Sequence, residues 1–237
     1  MEFEGMVCKG ILEGIKAKNG AGAMKAKEFW HESLTEESWK KLQELSKETK
    51  LTLIGGWAVW LWTKQHKSKD IDLVVDFQEL ASLKEKYSLE KNDRLKKYEI
   101  KLQGFDIDIY LPYYSKLSLP VEELLKEKVK IEGINTVSCE ALLILKQGAE
   151  IDRRKTIKGQ KDVIDLLTLL FFAPIDFKKY FNLLAKNKKE NFAKELIEEI
   201  KSFNPKDSEK YLGMNFNDFS KKKKELLEKI KKTKTQK

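Results

Sequence analysis

Three short segments carry residues whose types and order suit phosphate chemistry: Gly55-Gly56, Asp70-Ile71-Asp72 and Asp106-Ile107-Asp108. In a strand, residues i and i+2 point to the same face, so Asp70 and Asp72 project together, as do Asp106 and Asp108. Two carboxylates on one face repel each other unless a cation lies between them. A purely oxygen ligand set of this kind suits Mg2+, which takes one or two protein carboxylates together with substrate phosphates. Glycines let the backbone approach a ligand closely, and the free N–H groups of a helix opening at Trp57 would face an anion there. A phosphate cradle followed about 15 residues later by a carboxylate-bound metal describes a site for a nucleoside triphosphate. Each part alone has a plain alternative, since alternating acids also line exposed strand faces and Gly-Gly occurs in ordinary turns. The order, the spacing and the second Asp-Ile-Asp give the set its weight.

These residues need elements to hold them. Leu51–Ile54 reads as a short buried strand ending at the glycine pair, and Trp57–Trp62, apolar all round, reads as a buried helix. Asp70–Asp76 is rich in β-branched residues and reads as a strand. A helix is expected over Gln78–Lys86. Tyr98–Leu102 and Phe105–Leu111 flank Gln103-Gly104 as a hairpin, with Phe105, Ile107 and Ile109 inward and Asp106, Asp108 and Tyr110 on the opposite face. Upstream, Thr35 is the expected cap of a helix carrying Trp39, Leu42 and Leu45. Beyond Pro112 the chain turns helical: a helix near Val121–Lys126, a strand or hairpin around 129–137, then helices from Ser138 to Gln147, Lys161 to Phe172, Phe177 to Lys186, Glu190 to Phe203 and Phe219 to Ile230. The fold class is α+β, a small mixed sheet flanked by helices with a helical C-terminal region. Residues 1–115 form the expected catalytic domain (1–30 without assigned structure), 116–219 a mainly helical domain and 220–237 a basic tail.

Ile54-Gly55-Gly56-Trp57-Ala58-Val59 followed by Ser68-Lys69-Asp70-Ile71-Asp72-Leu73 resembles the polymerase-β-type nucleotidyltransferase superfamily. Within it, the chain is most similar to the AbiEii-like and related minimal nucleotidyltransferases of toxin–antitoxin and phage-defence systems. The likeness covers roughly residues 50–170 and includes Gly104–Tyr110, Leu142–Lys146 and Lys161–Leu166. It implies the nucleotidyltransferase fold, with Asp70, Asp72 and Asp108 as catalytic triad and ligands of two Mg2+ ions, Mn2+ being the alternative metal. Asp106 stands as a supplement to or substitute for Asp108. Gly55, Gly56, Ser68 and Lys69 would contact the triphosphate, and Lys146, Lys161 and Asp162 would line the cleft from the helical side. The implied reaction transfers a nucleoside monophosphate from an NTP to a hydroxyl of an RNA 3′ end, such as a tRNA, or of a protein, in a toxin-type enzyme with a cognate antitoxin as partner. The rival is a non-catalytic module of the same fold that binds nucleotide or RNA. For Lys146 a snorkelling role weighs evenly against phosphate binding, and Asp162 and Asp165 have ion pairing with Lys158 or Lys161 as their alternative.

Composition narrows the field. The 237 residues are 41% hydrophobic and 36% charged, which excludes collagen-like, low-complexity and wholly disordered chains. Cys8 and Cys139 are too far apart for a metal knuckle, and the longest apolar run, Leu166–Ile175, is half a membrane span and contains Pro174. A cytoplasmic protein without membrane partners is expected. The net charge of +9 invites a nucleic-acid reading, yet Ser220–Lys237 alone carries nine Lys and two Glu, a net of +7. The three tryptophans of 57–62 read as core, and His66 as an ordinary loop residue.

Overall fold

The computed structural model describes residues 28–126 and 128–235. The stretch left without assigned structure in the sequence, together with Cys8, therefore falls outside the described residues except for residues 28–30, as do the last two residues of the basic segment. In chain order the elements are α1 (Glu32–Glu48), β1 (Thr52–Ile54), α2 (Gly55–Thr63), β2 (Ile71–Val74), α3 (Phe77–Lys86), β3 (Glu90–Asn92), β4 (Lys97–Lys101) and β5 (Asp106–Tyr110). Then follow α4 (Val121–Leu124), β6 (Lys128–Ile131), β7 (Ile134–Val137), α5 (Cys139–Arg153), α6 (Ile157–Phe172), α7 (Phe177–Lys186), α8 (Asn191–Ser202), α9 (Lys206–Leu212) and α10 (Phe216–Thr235). The expected α+β architecture is present: one mixed seven-stranded sheet flanked by helices, continued by a helical C-terminal region.

The sheet order is β3-β4-β5-β2-β1-β7-β6. β2 lies between β1, antiparallel, and β5, parallel, and its pleat matches the inward residues expected from alternation: Ile71, Leu73, Ile107 and Ile109 are fully buried. β7 joins β1 in parallel through Leu53 and Thr136, so strands from beyond residue 115 complete the sheet begun before it. Helix α2 has no polar face because it has no wet side. It packs on β1 and β2 below and on α5 and α6 above, and the indole N–H groups of Trp57 and Trp62 find partners inside the core. Trp57 Nε1 donates to Ser38 Oγ at 2.8 Å and Trp62 Nε1 to the Val137 carbonyl at 3.0 Å, as buried tryptophans require.

Helix starts account for most differences from the sequence reading. α1 begins at Glu32, a turn before Thr35, whose hydroxyl bonds back to the Glu32 carbonyl at 2.9 Å instead of capping. α6 begins at Ile157 because Thr156 caps it, accepting from Gly159 N at 3.1 Å. α5 runs on to Arg153 rather than ending at Gln147, and its cap is the expected Ser138. Two elements escape the sequence reading, β3 and α9; both are short and polar, with no periodic apolar face to mark them. Residues 220–235 of the lysine-rich segment belong to α10, docked through Phe219, Leu226 and Ile230 against α7 and α8. No described helix is long and apolar enough to cross a membrane.

Candidate active site

The register of the central strands brings the acids together. β2 pairs with β5 so that Asp72 lies directly beside Asp108, and β1 pairs with β2 so that Ile54 lies beside Asp72. Gly55, the residue after Ile54, is thereby pressed against the Asp72 carboxylate: a Cβ there would come within 1.9 Å of Asp72 Oδ2, and the backbone stands at φ +71°. Gly56 is confined on its other side, where a Cβ would lie 2.5 Å from Ser68 Oγ and 3.5 Å from Lys161 Nζ. Both glycines mark places where the chain passes too close to site groups for any side chain.

Asp70 precedes β2 by one residue. Its Oδ1 accepts from the backbone N–H of Asp106 at 3.2 Å, with Lys69 Nζ 3.6 Å away. Asp106 itself is held by Lys101 at 2.9 Å and borders neither of the cavities described below. Tyr110 donates its hydroxyl to Asp72 Oδ1 at 3.4 Å. Lys97, on β4, donates to Asp108 Oδ2 at 2.5 Å and also lies 2.7 Å from Glu99, leaving Asp108 Oδ1 buried without a hydrogen bond. Burial raises the carboxyl pKa of both central acids. For Asp108 the neighbouring Asp72 adds to the rise and Lys97 opposes it, giving about 6; for Asp72 the Lys146 ammonium opposes and Asp70 adds.

The opposite wall comes from α5 and α6, which face each other through an ionic ladder. The buried Lys146 donates to Asp165 at 2.7 Å and lies 3.8 Å from Asp162, while Lys161 meets Asp165 at 3.0 Å. Arg153 grips Asp162 with two hydrogen bonds of 2.5 and 2.9 Å. Asp165 is deeply buried, which would raise its pKa, but Lys146 and Lys161 outweigh burial and hold it down to about 2. The ion-pair alternative for Asp165 is therefore present, with Lys161 as its sequence-predicted partner and Lys146 as a second.

Two cavities of about 820 and 620 Å³ share the wall formed by Asp72, Asp108, Lys146 and Arg153. The larger also borders Gly56, Ser68, Lys69, Asp70, Lys161 and Asp162; the smaller borders Gly55 and Lys97. The sequence-predicted site residues thus meet around one centre, apart from Asp106. Two contributors went unrecognised in the sequence. Arg153 stands in the run Arg153-Arg154-Lys155, for which contact with an RNA acceptor and a solvated helix end are equal readings, and Lys97 precedes the expected strand start. The available signal for Lys97 was the alternation Lys97-Tyr98-Glu99-Ile100-Lys101 opposite Asp106–Tyr110, which sets the two charged faces side by side.

No protein-family model matches the chain, and no curated protein matches it. Among solved structures it is similar to JHP933 from Helicobacter pylori, at 18% identity and a TM-score of 0.48, over 87% of this chain and 95% of that one. It is also similar to an antigenic nucleotidyltransferase-like protein from Paracoccidioides brasiliensis, at 18% identity and a TM-score of 0.37, over 69% of this chain and 91% of that one. Likeness at this level assigns no function.

A divalent cation fits the residues present. Asp108 Oδ1 is an orphaned buried oxygen, Asp72 stands next to it, and both carboxyls are raised by burial in a way that a bound cation would relieve. Among the described residues no three Asp, Glu, His or Cys side chains gather into a metal-binding cluster. Two carboxylates completed by phosphate oxygens, the habit of Mg2+, are the donor set that this geometry offers. His66 lies outside it, buried with Nε2 2.6 Å from the Tyr211 carbonyl, and burial lowers its pKa.

Proposed function

We propose that this chain is a metal-dependent nucleotidyltransferase of the polymerase-β type, AbiEii-like, that moves a nucleoside monophosphate from an NTP to a hydroxyl on RNA or protein. The observation that carries this reading is the in-register Asp72–Asp108 pair, pressed against Gly55 at the start of α2 and faced by Lys146 and Lys161. Acids on one wall and ammonium groups on the other suit a cation and a triphosphate held between them.

In this reading Asp72 and Asp108 hold Mg2+, with Asp70 beside them. The bound ion supplies charge neutralisation to the reacting phosphate and makes the acceptor hydroxyl more acidic. Gly56, Ser68 and Lys161 bind the β- and γ-phosphates, Lys69 lies at the same wall, and Lys146 balances the negative charge. The acceptor oxygen attacks the α-phosphorus in line, its proton passes to a carboxylate oxygen of Asp108, and the α–β phosphoanhydride bond breaks to release pyrophosphate. The Lys146–Asp165–Lys161 ladder fixes both ammonium groups before substrate arrives, so little reorganisation is required.

The test is incubation with each of the four α-labelled NTPs, Mg2+ and either total RNA or cell protein, alongside Asp72→Asn. Label entering a macromolecule with the unaltered chain and falling at least 100-fold in the variant is the expected result, and the labelled fraction names the acceptor. Absence of NTP–Mg2+ binding in calorimetry would sink the proposal.

A further inference from the structure

The geometry points to Lys97 as a resident cation of the carboxylate pair, so that the site takes one divalent ion per chain where two would otherwise be expected. This rests on the nucleotidyl-transfer reading above.

Lys97 shares the face of β4 that carries Glu99 and Lys101, and the β4–β5 register sets Glu99 opposite Asp108 and Lys101 opposite Asp106. Its ammonium lies 2.5 Å from Asp108 Oδ2 and 2.7 Å from Glu99 Oε1, and its side chain is only 10% exposed. The contact is braced from behind. Glu99 is also bound by Lys101 at 3.2 Å, and Lys101 in turn holds Asp106 at 2.9 Å, so acids and ammonium groups alternate along the two strands. An ammonium is a compact point charge, and this one saturates one oxygen of Asp108 from the side of β4.

A divalent ion at that same oxygen would sit a few ångströms from a fixed positive charge in a poorly hydrated place, where like charges repel strongly. The other oxygen, Asp108 Oδ1, is buried and makes no hydrogen bond. Asp72, its neighbour across the register, has only the long Tyr110 contact on Oδ1 and the Gly55 backbone against Oδ2. Asp72 and Asp108 Oδ1 are then the oxygens that would hold one divalent ion, with Lys97 supplying the second positive charge. Lys97 is then a positioning residue, holding Asp108 with one oxygen turned over to the metal.

The test counts Mn2+. The full chain is titrated with Mn2+ in the presence of the α,β-methylene analogue of each NTP, and bound ion is read from the loss of the free Mn2+ resonance. One Mn2+ per bound nucleotide is expected for the unaltered chain, two for Lys97→Met, which keeps an unbranched stem without the charge, and one for Lys97→Arg. Two ions in the unaltered chain overturn the assignment, as does a single ion in both the unaltered chain and Lys97→Met. If Lys97→Met does not fold, as judged by circular dichroism, the counts for the unaltered chain and Lys97→Arg decide alone, and two in either refutes it. Binding of neither nucleotide analogue nor Mn2+ overturns the nucleotidyl-transfer reading itself, whereas two ions bound with nucleotide remove only the role of Lys97.

Discussion

Single residues decide how closely the two walls of the site can approach. Gly55 is the sharpest case, because its positive φ and its contact with Asp72 forbid a side chain independently. Gly55→Ala is expected to cost about 1–3 kcal/mol from backbone strain, and also to displace the Asp72 carboxylate. Urea titration checks the stability loss, and calorimetry with Mg2+ and NTP should show binding weakened by more than that loss accounts for. Asp165 gives a pH-dependent counterpart. Its pKa of about 2 lies below the ordinary 3.8, so the folded state binds fewer protons than the unfolded one between those values. Its stabilisation is complete above about pH 4 and is lost as pH falls through about 2, an effect on the order of 2 kcal/mol. Asp165→Asn should be less stable at neutral pH and should show a flatter stability profile between pH 2 and 4 in denaturant melts.

Elements set the limits of what periodicity reveals. The apolar run of α2 and the alternation of β5 were both legible, since burial on all sides and burial on one side leave distinct patterns. The start of α6 was not, because the first turn after Thr156, Ile157-Lys158-Gly159-Gln160, holds a single apolar residue and no apolar stripe. α10 lies between these cases: Phe219, Leu226 and Ile230 follow helical spacing, but lysines dominate the composition and suggest a solvated end. Its docking predicts that Ile230→Ala, at a fully buried position, destabilises the protein by about 2–5 kcal/mol. A melting-temperature shift measures that cost. Lys231→Ala, at an exposed neighbouring position, should leave the melting temperature nearly unchanged.

Across the whole molecule, the sheet ties together parts distant in sequence. β7 completes the sheet beside β1, Trp62 bonds to the Val137 carbonyl, and the buried core runs without a break from Leu42 to Ile230. A fragment of residues 1–115 would leave β1 as an exposed apolar edge and α2 without its cover from α5 and α6. Such a fragment is expected to remain unfolded or to aggregate, while the full chain unfolds in one transition. Circular dichroism of the fragment and coincident melting by fluorescence and circular dichroism of the full chain check this.

The sequence by itself determined the local chemistry: which face carries Asp70 and Asp72, where a backbone must run without side chains, and which helix has no wet side. These follow from strand parity, glycine stereochemistry and the distribution of apolar residues, all readable over a few positions. Tertiary structure alone decided the pairings. That Asp72 meets Asp108, that Lys97 from a neighbouring strand neutralises one oxygen of the pair, and that Lys146 faces Asp165 depend on strand order and helix packing. Contacts separated by up to 36 residues are fixed by the energy of the assembled core, which no local pattern records.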